Sequence, residues 1–243
     1  YGVVASSGGG RASARETVGR VAAGAIAEKL LTDRYGVRIV AWVSGVGEVE
    51  CPDLSGDVFS RKDVDANSVR CPDGKAAKRM IVAVEKAARA RDSVGGFVTC
   101  VCRDVPAGWG EPVFGKATAL LAGAMLSIPA CRGFEIGSGF AGARMRGSDH
   151  NDMYVRKGKT LGTVTNRSGG IQGGITNGEP VIFRVAFKPP ASIGRPQRSA
   201  DYKGRQTICE IKGRHDPCVV PRAVPIVEAM VALVLADIGL MAG

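Results

Sequence analysis

Five segments carry residue types and spacings that can do chemistry. The first is Gly8-Gly9-Gly10-Arg11-Ala12-Ser13-Ala14-Arg15. A glycine loop running into a helix start points main-chain amides at one spot, with the positive end of the helix dipole behind them. Arg11 and Arg15 add guanidinium forks suited to phosphate or carboxylate. Anion binding and an ordinary loop with surface arginines are both open readings. No Gly-Lys-Ser/Thr follows at the spacing of a Walker loop, and no strand leads in as a dinucleotide fingerprint requires. The second segment, Asn166 to Ile175, holds two Gly-Gly pairs that let a ligand or another backbone come close; close strand packing or a bulge is the plainer reading. In the third, Lys188-Pro189-Pro190-Ala191-Ser192, a Lys and a Ser beside rigid prolines can hold a phosphate or simply form an exit loop. The fourth, Gly213-Arg214-His215-Asp216-Pro217-Cys218, offers proton transfer from His and Asp and anion binding from Arg, or a salt-bridged helix start. The fifth, Ser148-Asp149-His150-Asn151-Asp152, matches neither a metal box nor a triad and reads as a solvated loop. His150 and His215 are the only histidines, which argues against a multi-histidine metal site.

These segments must be held by a globular fold. The 243 residues are 45% apolar and 23% charged, which excludes disorder over the whole chain and allows a sizeable core. A net charge of +10 calls for an anionic partner: nucleic acid, a membrane surface or a phosphorylated small molecule. The 34 glycines belong at turns, tight packings and backbone-lined pockets. Seven cysteines, an odd number without a CxxC pair, read as reduced and mostly buried thiols in a reducing compartment. The longest apolar run, Ala223 to Gly243, is broken by Glu228 and Asp237 and reads as a buried helix rather than a membrane span. No signal peptide opens the chain, and because it opens on Tyr1 rather than Met an N-terminal segment is expected to be missing.

Periodicity sets the elements. Ser13 and Glu16 form an S-x-x-E capping box, and Val18, Val21, Ala22, Ala25, Ile26 and Leu30 recur at helical spacing up to Gly36. Strands are expected at 37–43 and 97–103, an amphipathic helix at 75–91, and loop with short turns at 51–73. An all-apolar helix at 116–127 reads as sandwiched between layers. A short strand covers 133–139, and 141–163 reads as a mobile loop. Asn177-Gly178 between 171–176 and 180–187 is a strong hairpin signal. An exposed loop at 189–204 and a last helix at 224–240 complete the chain. The expectation is a single α+β domain over residues 1–243, with one hairpin arguing against a purely parallel sheet.

Taken together, the segments closely resemble the chorismate synthase family. One signature is Gly10 to Thr17, continuing to Val21 and Gly24-Ala25-Ile26; another is Gly213 to Cys218, continuing through Arg222 to Met230. Gly133-Phe134-Glu135-Ile136-Gly137, the HND at His150 to Asp152 and GGIxGGITNGE at Gly169 to Glu179 fall between them in the family's order. The resemblance covers essentially the whole chain, and its HND and GRHDP motifs are most like eukaryotic forms. The family's N-terminal G-x-S-H-G segment and its two catalytic histidines are absent, so the sequence resembles the family's C-terminal part.

The resemblance implies a layered β-α-β sandwich, with helices between antiparallel sheets, assembled as a homotetramer. It implies a lyase that removes phosphate and a ring proton from 5-enolpyruvylshikimate 3-phosphate by anti-1,4-elimination, giving chorismate with reduced FMN as cofactor. By family match Arg11, Ala12, Ser13, Pro129, Ala130, Gly173, Lys188, Pro189, Pro190, Ala191, Ser192 and Arg214 contact the flavin. Arg15 and Arg214 meet the substrate, and Asp216 is the catalytic carboxylate beside flavin N5. No metal, nucleic acid or membrane partner is expected, and the expected compartment is the cytoplasm, a plastid being the other. The competing readings are an inactive flavin-binding or assembly fragment, and a basic nucleic-acid module. Seven Phe, two Trp and four Tyr, not interleaved with the basic residues, argue against the module.

Overall fold

The computed structural model describes residues 13–158, 160–211, 213 and 215–242. A 3-10 turn, Ala14–Glu16, leads into α1 (Thr17–Tyr35), which Gly36 ends with φ 74°. There follow β1 (Arg38–Val46), β2 (Val49–Glu50), α2 (Arg61–Val64), α3 (Gly74–Arg89), β3 (Gly96–Arg103), α4 (Ala117–Leu126) and β4 (Cys131–Ile136). Next come α5 (Gly139–Gly142), α6 (Gly147–His150), β5 (Tyr154–Lys157), β6 (Thr160–Thr163), β7 (Ile171–Gln172), β8 (Ile175–Thr176) and β9 (Val181–Phe187). The chain closes with β10 (Gln197–Ala200), β11 (Gln206–Cys209) and α7 (Val220–Met241).

Five strands form one antiparallel sheet in the order β2-β1-β3-β9-β4, and three two-stranded ribbons stand apart from it. The architecture is α+β with antiparallel sheets, as the sequence implies. Alternation sorts the strands' side chains. Ile39, Ala41 and Val43 of β1, Val98, Cys100 and Cys102 of β3, and Val181, Phe183 and Val185 of β9 are buried. They share this core with Val224, Val227, Val231 and Leu235 of α7. Among the described residues the helical layer carries this sheet on one side.

Helix α7 is long and apolar enough to cross a membrane, with a mean hydropathy of 2.1, yet it packs as the central helix of the core. It carries two local conflicts, each answered by a neighbour. Pro225 has no N–H to give to Pro221 O, and Arg70 Nη1 donates to that carbonyl instead, at 2.8 Å. Glu228 puts a carboxylate into the core at 5% exposure. Its Oε1 accepts from Ala41 N at 2.9 Å, and its Oε2 meets Arg61, which also binds Glu28.

The structure departs from the sequence expectations at six places. The buried face of α1 is Thr17, Gly24 and Leu31, while Val18 and Ile26 are 75% exposed. Gly24 sets this face: a Cβ there would lie 2.5 Å from Ala229 Cα, so α1 and α7 meet where only a hydrogen fits. Ser13 caps through its side chain to Arg15 N at 3.4 Å, and the reciprocal capping box is found at Ser60 and Asp63 instead. Helix α4 buries Ala117, Leu121 and Met125 on one face, while Leu126 is exposed. Residues 141–163 fold into α6 and the β5–β6 hairpin, and 189–204 includes β10 paired with β11. The hairpin near Asn177-Gly178 closes instead at Gly173-Gly174, whose φ values of 63° and 93° suit a type I′ turn.

Burial pushes the Glu228 carboxyl up from 4.5 to about 7, against the Ala41 amide and Arg61, which pull it down. The folded state therefore holds a proton between about pH 4.5 and 7 that the unfolded chain releases. This contribution is fully present below 4.5 and is lost as pH rises through 7, a change of about 3 kcal/mol. Glu228→Gln keeps an acceptor for Ala41 N and removes the titration. Urea unfolding of both proteins from pH 4.5 to 8 is expected to show a flatter curve for the variant; parallel curves would refute the assignment.

Candidate active site

One edge of the sheet collects most of the segments singled out by chemistry. At the end of β9, Lys188 N donates to Ala130 O at 2.9 Å, which puts the Lys188 turn against the Pro129-Ala130 turn that opens β4. Residues 92–95 brace this junction. Ser93 Oγ donates to Pro190 O at 2.6 Å, and Val94 N donates to Pro217 O at 2.8 Å. Gly95 lies so close to the Phe187 carbonyl and Pro189 N that no side chain fits. Helix α1 joins from the other side: Arg20 Nη1 donates to Ser127 Oγ at 2.7 Å, two residues before Pro129.

The charges at this edge divide into two groups. Asp216 Oδ2 accepts from Arg222 Nη1 at 2.6 Å, so the carboxylate is fixed by the first turn of α7. His215 Nε2 pairs with Ile211 O at 2.8 Å. Arg195 is held by Asp92, and Arg91 by Glu210, each at 2.8 Å. Lys188 and Arg15 have no carboxylate partner among the described residues; Lys188 Nζ reaches only Pro189 O, at 3.5 Å. A cleft of about 370 Å³ opens beside this group, lined by Arg91, Asp92, Gly194, His215 and Pro217 among others. Lys188 lies on the segment that Ser93 and Val94 tie to Pro217, which follows His215 and Asp216 in the chain, and a cation there without a carboxylate partner among the described residues can receive an anion.

Thus Pro129, Ala130, Lys188, Pro189, Pro190 and Asp216 share this edge, with Ala191 and Ser192 exposed just beyond; α1 reaches it through Arg20, and Ser13 and Arg15 precede that contact by seven and five residues. Gly173 does not join them. It sits at the tip of the β7–β8 hairpin, and Ala117 N donates to Gly174 O at the start of α4. Ser127 caps the other end of that ten-residue helix, about 15 Å away. Arg11, Ala12 and Arg214 lie outside the described residues. Sequence reasoning missed Asp92, Ser93 and Arg222, which brace the site; the partners of the first two lie about a hundred positions away, and no local pattern marks them.

The HND segment is not a solvated loop. Asp152 is 6% exposed and accepts from Thr165 Oγ1, Arg167 N and Ser168 N at 2.7–2.9 Å. Burial raises its carboxyl, but these donors outweigh it and hold the group below its usual value. His150 meets Ser138 Oγ at 2.9 Å. A second cleft, of about 580 Å³, lies on the outer face of the sheet. One rung of the sheet, Trp42, Thr99, Arg184 and Glu135, runs across its floor.

Fold and site together define an α+β protein with a cation-bearing edge on an antiparallel sheet. Residues 1–240 match the chorismate synthase family. The chorismate synthase of Prochlorococcus marinus (strain MIT 9211) is 55% identical over 238 residues, which are 98% of this chain and 65% of that protein. That of Schizosaccharomyces pombe is 53% identical over 264 residues, covering 98% of this chain and 67% of the relative. A crystal structure of chorismate synthase superposes with a TM-score of 0.80 at 30% identity, over 95% of this chain and 65% of that one. The chain belongs to the chorismate synthase family. It spans about two thirds of the length of these curated relatives.

Asp152→Ala leaves the amides of Arg167 and Ser168 without their acceptor. A loss of about 1–3 kcal/mol is expected in urea unfolding, because the two donors are half-buried and water partly replaces the lost acceptor. An unchanged midpoint would remove Asp152 from this structural role.

Proposed function

We propose that this chain forms the larger part of a chorismate synthase that eliminates phosphate from 5-enolpyruvylshikimate 3-phosphate, with reduced FMN as cofactor. The observation that carries this reading is the meeting of the α1 start, the Pro129-Ala130 turn, the Lys188–Pro190 turn and Asp216 at one edge. The residues present fit a flavin phosphate: Lys188 and Arg15 are cations without carboxylate partners among the described residues. When bound, the reduced flavin supplies electron density that helps the C–O bond break and then recovers it.

In this reading Lys188 takes the flavin phosphate and Arg15 a substrate anion, while Arg11, Ala12, Ser13, Ala191, Ser192 and Arg214 add flavin contacts by family match. Asp216, held by Arg222, orients the group that receives the ring proton. Gly173 lies about 15 Å from Ser127, so its family contact calls for a second subunit at the same site, as the expected homotetramer would supply. The reading suits a reducing compartment, the cytoplasm or a plastid, and the free cysteines support that.

Two variants of the full-length enzyme test it. Lys188→Ala is expected to weaken FMN binding by about 1.5–3 kcal/mol, the range for a hydrogen bond to a charged group, with the difference narrowing at high salt. Fluorescence titration with FMN measures this, and equal affinities would refute the Lys188 role. Asp216→Asn is expected to lower chorismate formation by about 10²–10⁴-fold while FMN affinity changes little. The assay is anaerobic, with photoreduced FMN. Normal turnover would place the proton chemistry elsewhere.

A further inference from the structure

Cys51 leaves β2 and Cys71 precedes α3, and two main-chain hydrogen bonds bring them side by side. Cys51 N donates to Ser44 O at 3.0 Å, and Val43 N donates to Arg70 O at 2.9 Å. Val43 and Ser44 are consecutive on β1, so the residues after β2 and those before α3 line up along the same strand edge. The two thiols interact directly. Their surroundings differ. Cys71 is fully buried, with its Sγ 3.7 Å from Asp73 O. Cys51 is half-buried and lines the outer-face cleft of about 580 Å³ beside Trp42. Both are free thiols in this structure.

We propose that Cys51 and Cys71 are a redox modification site that closes to a reversible disulfide when a hydroperoxide reaches the outer-face cleft. Cys51 is the sulfur a peroxide can reach. Its thiolate attacks the peroxide, the O–O bond breaks, and Cys51 becomes a sulfenic acid as hydroxide leaves. The Cys71 sulfur then attacks the Cys51 sulfur and displaces the oxygen as water, forming the S–S bond. In sum two thiols and one hydrogen peroxide give one disulfide and two waters. The contact between the two thiols, with burial, holds Cys51 above the ordinary thiol value and the same contact lowers Cys71, so the pair gives up one proton and shares the thiolate, which the cleft-facing Cys51 carries when it meets the peroxide. The bond would tie the segment that walls the cleft, residues 51–55, to the start of α3.

The test exposes the chain to hydrogen peroxide, blocks remaining thiols with N-ethylmaleimide and maps unreduced peptides by mass spectrometry. A Cys209→Ser background removes the one exposed thiol, which would otherwise link two molecules. The expected result is a Cys51–Cys71 cross-linked peptide that dithiothreitol reverses, with Cys100, Cys102, Cys131 and Cys218 alkylated only after unfolding. The oxidised chain is expected to melt roughly 5 °C higher, because the bond closes a loop of about twenty residues. In Cys71→Ser, dimedone should trap a sulfenic acid at Cys51. If that variant does not fold, the peptide map of the parent chain still decides. Free thiols at both positions, or sulfinic acid on Cys51 without a cross-link, would overturn the proposal.

Discussion

A helix as apolar as α7 must be covered, and the way it is covered sets most of the rest. The sheet takes one side through Val224, Val227, Val231 and Leu235. Helix α1 takes another, at a separation that only glycine permits. Gly24 meets Ala229, and further along α7 Gly239 lies against the Trp109 ring, with Tyr35 stacked edge-on to that ring at 4.9 Å. Tyr35 also donates its hydroxyl to Gly239 O at 2.9 Å, so the two helices are locked in register at both ends of their crossing. The same crossing fixes which face of α1 is buried, and through Arg20 and Ser127 it fixes where the α1 start lies relative to α4 and β4.

Burying α7 forces polar chemistry into the core, and apart from the Ala41 amide of β1 the answers come from the 51–73 segment. Arg70 replaces the hydrogen bond that Pro225 cannot make, and Arg61 meets the carboxylate of Glu228. Both arginines come from the 51–73 segment, which the sequence shows only as polar loop. That segment also crosses the outer face of the sheet, where Arg103 Nη2 donates to Ser55 O and Asp57 O, and where Phe59 packs on Trp42. A stretch without periodicity therefore serves both faces of the sheet, and the Cys51–Cys71 contact arises at the point where it turns from one to the other.

How legible each part was follows from how local its cause is. Helix α3 is readable to within two residues, because its apolar spacing and its Asp73 cap lie inside the segment. The hairpin was misplaced because Asn177-Gly178 and Gly173-Gly174 are both good turn sequences. The choice between them is made at long range, where Val181–Phe187 finds a slot between β3 and β4. Strands β10 and β11 are exposed on both faces, so they carry no alternation to read. The family motifs point to Lys188, Asp216 and the Ser13 turn, but not to the Ser93 and Val94 hydrogen bonds that tie the segments of the first two together. Nothing in the residues around Ser93 announces a partner nearly a hundred positions away.

The net charge of +10 says little about the site until the pairing is counted out. Near this edge folding commits Arg91 to Glu210, Arg195 to Asp92 and Arg222 to Asp216, so three of the local guanidinium groups carry no net field of their own. Lys188 and Arg15 stand outside those pairs. An exposed ion pair is worth little to stability, so these pairs do more to hold the 91–95, 194–195 and 216–222 segments in place than to strengthen the fold. What an incoming anion meets is then set by the cations outside such pairs, Lys188 and Arg15 among the described residues, rather than by the basic composition. A lysine at a proline-stiffened turn is a compact charge whose position is fixed by its main chain. It can hold a phosphate without the fork geometry that the paired arginines have already spent on carboxylates.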